Sequence, residues 1–292
     1  MRVSLVSLSS PLTEEQLPML KRGINYLEDL GLQPIYSEKI FSLEKRLATE
    51  KTEELMRAYI EDDTAFILSV RGGASCIEIL DKLDYKRILE ANPKPILGYS
   101  DLTTLALALR RKADDYKLKP VPFYHSPMLF EMGRWFLEEE LGAEFNEEFG
   151  KLDEELRASK LMAYKENRVK FEDFLSKLES SPLELFQSDK PVLGANLSVL
   201  CSLLGTEYLP SFKDKILFLE EVNEPLYKME RMFYQLHLAG VFQDVKELWL
   251  GSSVNAELPM DLIQDFANVY DFKISKDLPM GHGDLNFISR IF

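Results

Sequence analysis

Two stretches of this chain, "AFILSV" (65–70) and "PILGYS" (95–100), are apolar at nearly every consecutive position and each ends at a glycine or serine corner. A half-exposed strand alternates apolar and polar residues. A continuous apolar run of this length, followed at once by a helical stripe, belongs to a parallel strand covered on both faces. The same arrangement recurs. Val3 to Ser7 reads as a strand, and Leu17, Leu20, Ile24 and Leu27 form a helix face that Gly31 can end. A second helical stretch carries Leu55, Ala58 and Tyr59. After "RGGAS" a helix is expected with Ile77, Leu80 and Leu83 inward, and after "GYSD" another with Leu102, Leu105, Ala106 and Leu109 inward. Repeated strand–helix alternation specifies an α/β fold with a mostly parallel sheet, whose sites gather at the carboxyl ends of the strands.

From about Glu131 to Asp189 the character changes to charged, acidic and helix-favouring, nearly free of Gly and Pro, which reads as a solvated helical connection, with a lid or an oligomer contact as alternatives. Alternation then resumes: "KPVLGAN" as a strand, Asn196 as a helix N-cap, "KILFLEE" as a buried strand, a helix from Pro225 with Met229, Met232, Phe233 and Leu236 on one face, then "ELWLGSS" and "MDLIQDFANVY". The expected organisation is an α/β domain over 1–126, an acidic helical connection over 127–189 and a second α/β domain over 190–292.

A net charge of −14 with no basic block argues against a nucleic-acid partner. No stretch approaches the ~20 apolar residues of a membrane span, and the N-terminal run is too broken for a signal peptide. Cys76 and Cys201 lie in helical patterns and read as small buried hydrophobes, which fits a cytoplasmic protein. Three dispersed histidines give no metal-ligand spacing, and no phosphate-binding glycine motif is present, so no metal or cofactor is expected.

Chemistry by a serine requires a base and a group that orients the base. Ser100 in "GYSD" sits where a strand turns into a helix, near free backbone N–H groups and the positive end of the helix dipole. The corner is close to G-x-S-x-G, with Leu102 in place of the last glycine. Of the histidines, His237 lies within a helix and reads as a packing residue. His125 in "FYHSPM" follows a strand and is compatible with either a site or a structural hydrogen bond. His282 in "GHGD" is flanked by glycines that leave its imidazole unobstructed. Glu220 and Glu221 end an apolar strand, and because neighbouring strand residues face opposite ways only one of them can serve a given site.

Taken together, "SSP", "RGGASCIEILDKLDY", "NPKPILGYSDLTTL", "FYHSPM", "GANLSVLCSLLGTEY", "ILFLEEVNEPLYKMERMFYQLHLAGVF" and "GHGD" occur in an order that resembles the LD-carboxypeptidase family, the muramoyltetrapeptide carboxypeptidases and their microcin-immunity relatives. The resemblance implies a serine peptidase with Ser100 as nucleophile, Glu220 as orienting carboxylate and His282 as base. It implies an oxyanion hole from the backbone N–H of Gly72 or Gly73 and that of Asp101. It further implies an N-terminal flavodoxin-like domain, a C-terminal α/β domain, a site between them, a small peptide or muropeptide substrate and a homodimer. Arg71 is a candidate for the substrate carboxylate by position, and His125 a candidate substrate contact. "YHSPM" and "RGGAS" stand where the family commonly has "FHGPM" and "RGGYG", so substrate choice stays open between a murein tetrapeptide and a peptidyl-nucleotide antibiotic. A non-catalytic cleft-binding protein is the third reading.

Overall fold

The apolar runs become the inner strands of two parallel sheets in the computed structural model, which describes residues 1–136, 152–180 and 192–291. The first half runs β1 (Arg2–Val6), α1 (Leu17–Asp29), β2 (Gln33–Ile35), α2 (Ala48–Met56), β3 (Phe66–Ser69), α3 (Tyr85–Glu90), β4 (Ile96–Leu97), α4 (Thr103–Tyr116), β5 (Phe123–His125) and the short α5 (Leu129–Met132). A long α6 (Glu154–Ser180) follows. The second half comprises β6 (Val192–Asn196), α7 (Leu197–Ser202), β7 (Ile216–Val222), α8 (Leu226–Leu238), β8 (Glu247–Val254), α9 (Met260–Tyr270), β9 (Lys273–Ser275) and β10 (Ser289–Arg290).

The first five strands are parallel in the order β2-β1-β3-β4-β5, the flavodoxin-like order expected from sequence. The chain's last strand, β10, crosses back to pair antiparallel with β5, Ser289 opposite His125. The second sheet, β6-β7-β8-β9, is parallel throughout. Inner strands β3 and β4 are buried at every position, as their unbroken apolar sequence requires. β2 and β10 went unread in the sequence because two or three residues carry no period.

Two local expectations change. The segment after "RGGAS" is a 3-10 helix, Cys76–Lys82, and not an α-helix. With three residues per turn, Cys76 and Ile79 share the inner side, while Ile77, expected inward, is 38% exposed. α6 is helical as expected and keeps an exposed face, but its other face is not solvated; its flanks 137–151 and 181–191 lie outside the described residues. Phe171, Phe174, Leu175 and Leu178 join the core beneath the first sheet, with Phe171 against Tyr26 and Trp135 and Phe174 against Phe66 and Tyr124. Each such phenyl contributes about 1.5–3 kcal/mol by burial, which fixes α6 to the first half. Among the described residues no helix is long and apolar enough to cross a membrane.

Candidate active site

The corner at Ser100 follows Gly98, just after β4, where a side chain would crowd its neighbours. A Cβ on Gly98 would lie 2.3 Å from Leu102 Cδ2 and 3.2 Å from Ser69 Cβ. Leu102 therefore fills, from the core, the space that Gly98 leaves, which accounts for a leucine where the elbow pattern has its last glycine. Ser100 itself takes a left-handed backbone conformation, φ 57°, before a 3-10 turn (Ser100–Leu102) leads into α4. For a serine this costs on the order of 1 kcal/mol, and such strain marks a turn whose side chain is held out deliberately. The Asp101 carboxylate, 4% exposed, ties three segments together: it accepts the Cys76 N–H at 2.8 Å and the hydroxyl of Ser9 from "SSP". Its side chain thus holds the glycine loop and the N-terminal loop against the serine turn, a role the sequence did not reveal.

Both acids at the end of β7 are buried, and the strand sends them in different directions as alternation requires. Glu221 accepts from Asn196 Nδ2 (2.7 Å), the Ser198 N–H (2.8 Å) and the Val222 N–H (2.8 Å), so it braces the start of α7. Glu220 points at His282: Oε2 lies 2.6 Å from Nδ1. The β7–β8 register shifts between Leu219 and Glu221, and such an irregularity re-aims a side chain at a sheet's end. Gly281 takes φ 113°, and a Cβ there would sit 2.9 Å from Glu220 Cβ, so only glycine lets the histidine loop approach this closely.

His282 Nε2 lies 3.2 Å from Ser100 Oγ, completing a Ser–His–Glu chain between residues 182 apart in sequence. The imidazole rests against the Tyr99 ring, centroids 4.9 Å apart. Burial works against its charged form. The hydrogen bond and charge of Glu220, with Glu131 and Glu221 behind it, outweigh burial and hold the His282 pKa above the ordinary value of 6.5. Gly72 lies against the serine: a Cβ on it would be 3.1 Å from both Ser100 Cβ and Oγ. Gly73 (φ 152°) packs on Ser10.

These groups open onto a cavity of 660 Å³ whose walls come from both halves of the chain and from α6, including Arg71, Glu131, Arg134, Tyr164 and Asn167. The remaining expectations divide. Arg71 does line the cleft, but its guanidinium is held by the Pro11 and Gly72 carbonyls and the Gln16 amide oxygen, not by an ion pair. His125 is a correction: it is fully buried, its ring 5.2 Å from those of Tyr99 and Phe218, and it does not reach the cleft. Burial pulls its pKa down to about 3, so the ring is neutral at working pH. His237 is the packing residue expected, stacked on Phe266 and bonded to the Tyr270 hydroxyl at 2.8 Å. Cys76 and Cys201 are free thiols, and burial pushes Cys201 up to about 12. The sequence missed Glu131, Arg134 and Asn167. They lie in the acidic stretch, where charge is so abundant that no pattern singles out the residues turned inward.

Residues 3–116 match the family description of an LD-carboxypeptidase N-terminal domain, and residues 191–291 that of the LD-carboxypeptidase C-terminal domain. Among curated relatives, the murein tetrapeptide carboxypeptidase of Pseudomonas aeruginosa is 26% identical over 98% of this chain and 89% of its own. The microcin C7 self-immunity protein MccF of Escherichia coli is 26% identical over 85% of this chain and 74% of its own. In fold, the chain superposes on MccF in complex with glutamyl sulfamoyl guanosine with a TM-score of 0.77 (17% identity, 99% of this chain and 90% of that one). It superposes on the muramoyltetrapeptide carboxypeptidase of Oxalobacter formigenes with a TM-score of 0.69 (19% identity, 100% and 92%). Two domain matches in order, on a fold whose serine corner, buried glutamate and glycine-flanked histidine converge, place this chain in the LD-carboxypeptidase family of peptidases.

Proposed function

We propose that the protein is a serine-type carboxypeptidase that hydrolyses the L,D peptide bond before the terminal D-amino acid of a murein tetrapeptide. The observation that carries the reading is the hydrogen-bonded chain Ser100–His282–Glu220 at the floor of an open cleft. His282 Nε2 takes the Ser100 proton as Oγ attacks the carbonyl carbon. The N–H groups of Gly72 or Gly73 and of Asp101 stabilise the oxyanion. The C–N bond then breaks, His282 gives its proton to the departing amine, and the acyl group remains on Ser100 as an ester. Water adds to that ester with His282 taking its proton, and collapse returns a proton to Oγ and releases the tripeptide acid. General-base action contributes about 10²–10⁴-fold and one oxyanion donor about 10²–10³-fold.

A carboxypeptidase must also hold a free carboxylate. With Arg71 Nε and Nη1 engaged by backbone and amide oxygens, the guanidinium we assign to this role is Arg134, which stacks 4.7 Å over Phe130 at the cleft wall and has no ion-pair partner among the described residues. Cytoplasmic location belongs to the same reading, since its substrates are recycled fragments of the cell wall, and a homodimer is carried over from the family resemblance alone.

The test is incubation with tetrapeptide murein precursors, following free D-Ala by mass spectrometry, beside the Ser100→Ala variant. Release by the wild type alone is expected. No release from any stem peptide, together with cleavage of a peptidyl-adenylate analogue, would shift the substrate to the antibiotic type, and undiminished activity of Ser100→Ala would end the serine mechanism.

A further inference from the structure

The histidine loop is a weakly self-supported element. His282 lies between two glycines, and the segment Gly281–Asn286 carries only an isolated bridge, Ser252 with Gly281, on the β8 side. On that side Met280 O accepts from the N–H and hydroxyl of Ser252, at 2.8 and 2.9 Å. A loop rich in glycine has many competing conformations, and beyond the Glu220–His282 hydrogen bond a contact on its other side helps to select one.

That other side is α6. Asn167, 4% exposed, faces the loop and bonds its backbone twice. Its Nδ2 donates to the Asp284 carbonyl at 2.8 Å and its Oδ1 accepts the Asn286 N–H at 3.0 Å. One amide thus substitutes for a strand edge, satisfying a donor and an acceptor two residues apart. Lys160, two turns earlier on α6, pairs with the Asp284 carboxylate at the surface. The Asn286 side chain carries the constraint inward, its Oδ1 lying 3.4 Å from the Gly281 N–H beside the histidine. α6 can bear this load because its far end is fixed in the first-sheet core by Phe171 and Phe174. The serine belongs to the first half and the histidine to the second, and α6 is tied to both.

We propose that Asn167 is a positioning residue that sets the His282 loop against Ser100, so that α6 is a working part of the site. This rests on the serine-peptidase reading above. Ser100 Oγ and His282 Nε2 stand at 3.2 Å, the outer end of hydrogen-bond reach. A loop displaced by about 1 Å would break that contact, and misplacement of that order costs up to about 10²-fold in rate.

The experiment compares Asn167→Ala, Asn167→Asp and Lys160→Ala with the wild type. It measures kcat and KM on a tetrapeptide, the rate at which a small alkyl fluorophosphonate labels Ser100, and the thermal midpoint. The labelling reagent needs the serine and histidine but carries no peptide for the cleft wall to hold. Asn167→Ala should lower kcat and the labelling rate together by about 10- to 100-fold, with KM within about twofold. Lys160→Ala, which removes only a surface ion pair, should stay within about fivefold. Should Asn167→Ala fail to fold, Asn167→Asp, which keeps size and acceptor but loses the donor to Asp284, is read in the same assays and should lose at least tenfold in labelling. Labelling at the wild-type rate by a folded Asn167 variant overturns the proposal. A rise in KM alone also does, since it would make Asn167 a substrate contact. A wild type that the fluorophosphonate does not label refutes the serine mechanism itself, a separate outcome.

Discussion

Replacing Glu220 by Gln probes the part of the site that chemistry depends on most, the proton inventory of His282. The Glu220 side chain is wholly buried, with Oε2 2.6 Å from His282 Nδ1 and Oε1 without a hydrogen-bond partner among the described residues. A glutamine fits the same space, but its amide can donate to Nδ1. The imidazole proton then sits on Nε2, where it faces Ser100 and cannot accept the hydroxyl proton. The equivalent carboxylate-to-amide change in a serine-protease triad costs about 10⁴, so a loss of about 10²–10⁴ in kcat/KM is expected, or roughly 2.7–5.4 kcal/mol of transition-state stabilisation. The pH profile gives the sharper measurement. Burial lowers the His282 pKa and the glutamates raise it above 6.5. Activity requires the neutral ring, so the wild-type acid limb lies above 6.5 and the Gln variant's moves down as burial loses its main opponent while Glu131 and Glu221 remain. The stability linkage runs the other way. A raised histidine pKa stabilises the fold most below 6.5, and that contribution is lost as pH rises through the folded value. The assay is D-Ala release from about pH 5 to 9, which brackets a histidine limb. Retention of rate within about tenfold, with an unmoved acid limb, would refute the claim that Glu220 orients the base.

Gly72→Ala should leave the fold intact but crowd the nucleophile, because its Cβ would stand 3.1 Å from Ser100 Oγ; a kcat loss of about 10²–10³ is expected, and wild-type kcat would show that Gly72 does not border the reacting carbonyl. Arg134→Ala should raise KM for tetrapeptide by about 10-fold or more while a C-terminally amidated peptide shows no such change; equal effects on both would remove Arg134 from carboxylate recognition. His125→Phe should protect against acid. The buried neutral ring, held down to about 3, makes the wild type lose about 1.4 kcal/mol per pH unit as pH falls below 6.5 toward that value, so urea midpoints of the variant should fall less between about pH 7 and 4.5, and parallel slopes would contradict this.

Much of the site was legible before any coordinates. "GYSD", "FLEE" and "GHGD" each encode a local geometry: a tight strand-to-helix corner, a strand end and a loop cleared by glycines. Gly98 and Gly281 stand where a Cβ would collide with a neighbour, and Gly72 where it would crowd Ser100, which is why glycine at these corners carries information. The continuous apolar runs, each closed by a turn and followed by a helical stripe, likewise point to buried parallel strands.

What tertiary structure alone decided concerns pairs that are far apart in sequence. Strand alternation by itself leaves two adjacent glutamates equivalent, and only the resemblance to the family singled out Glu220. The register shift in β7 and the approach of Gly281 send Glu220 to the histidine, while Glu221 braces α7. His125 ends β5 and His282 lies in the loop after β9, yet β10 and the second sheet enclose the first and leave the second facing the cleft. In the acidic stretch, Asn167 and Arg134 are two polar residues among many. Only the docking of α6 on the first-sheet core aims Asn167 at the histidine loop. The physical reason is the same in each case: backbone preferences act over a few residues and can be read there, whereas the direction of a side chain toward a partner 182 residues away depends on how whole sheets and helices pack.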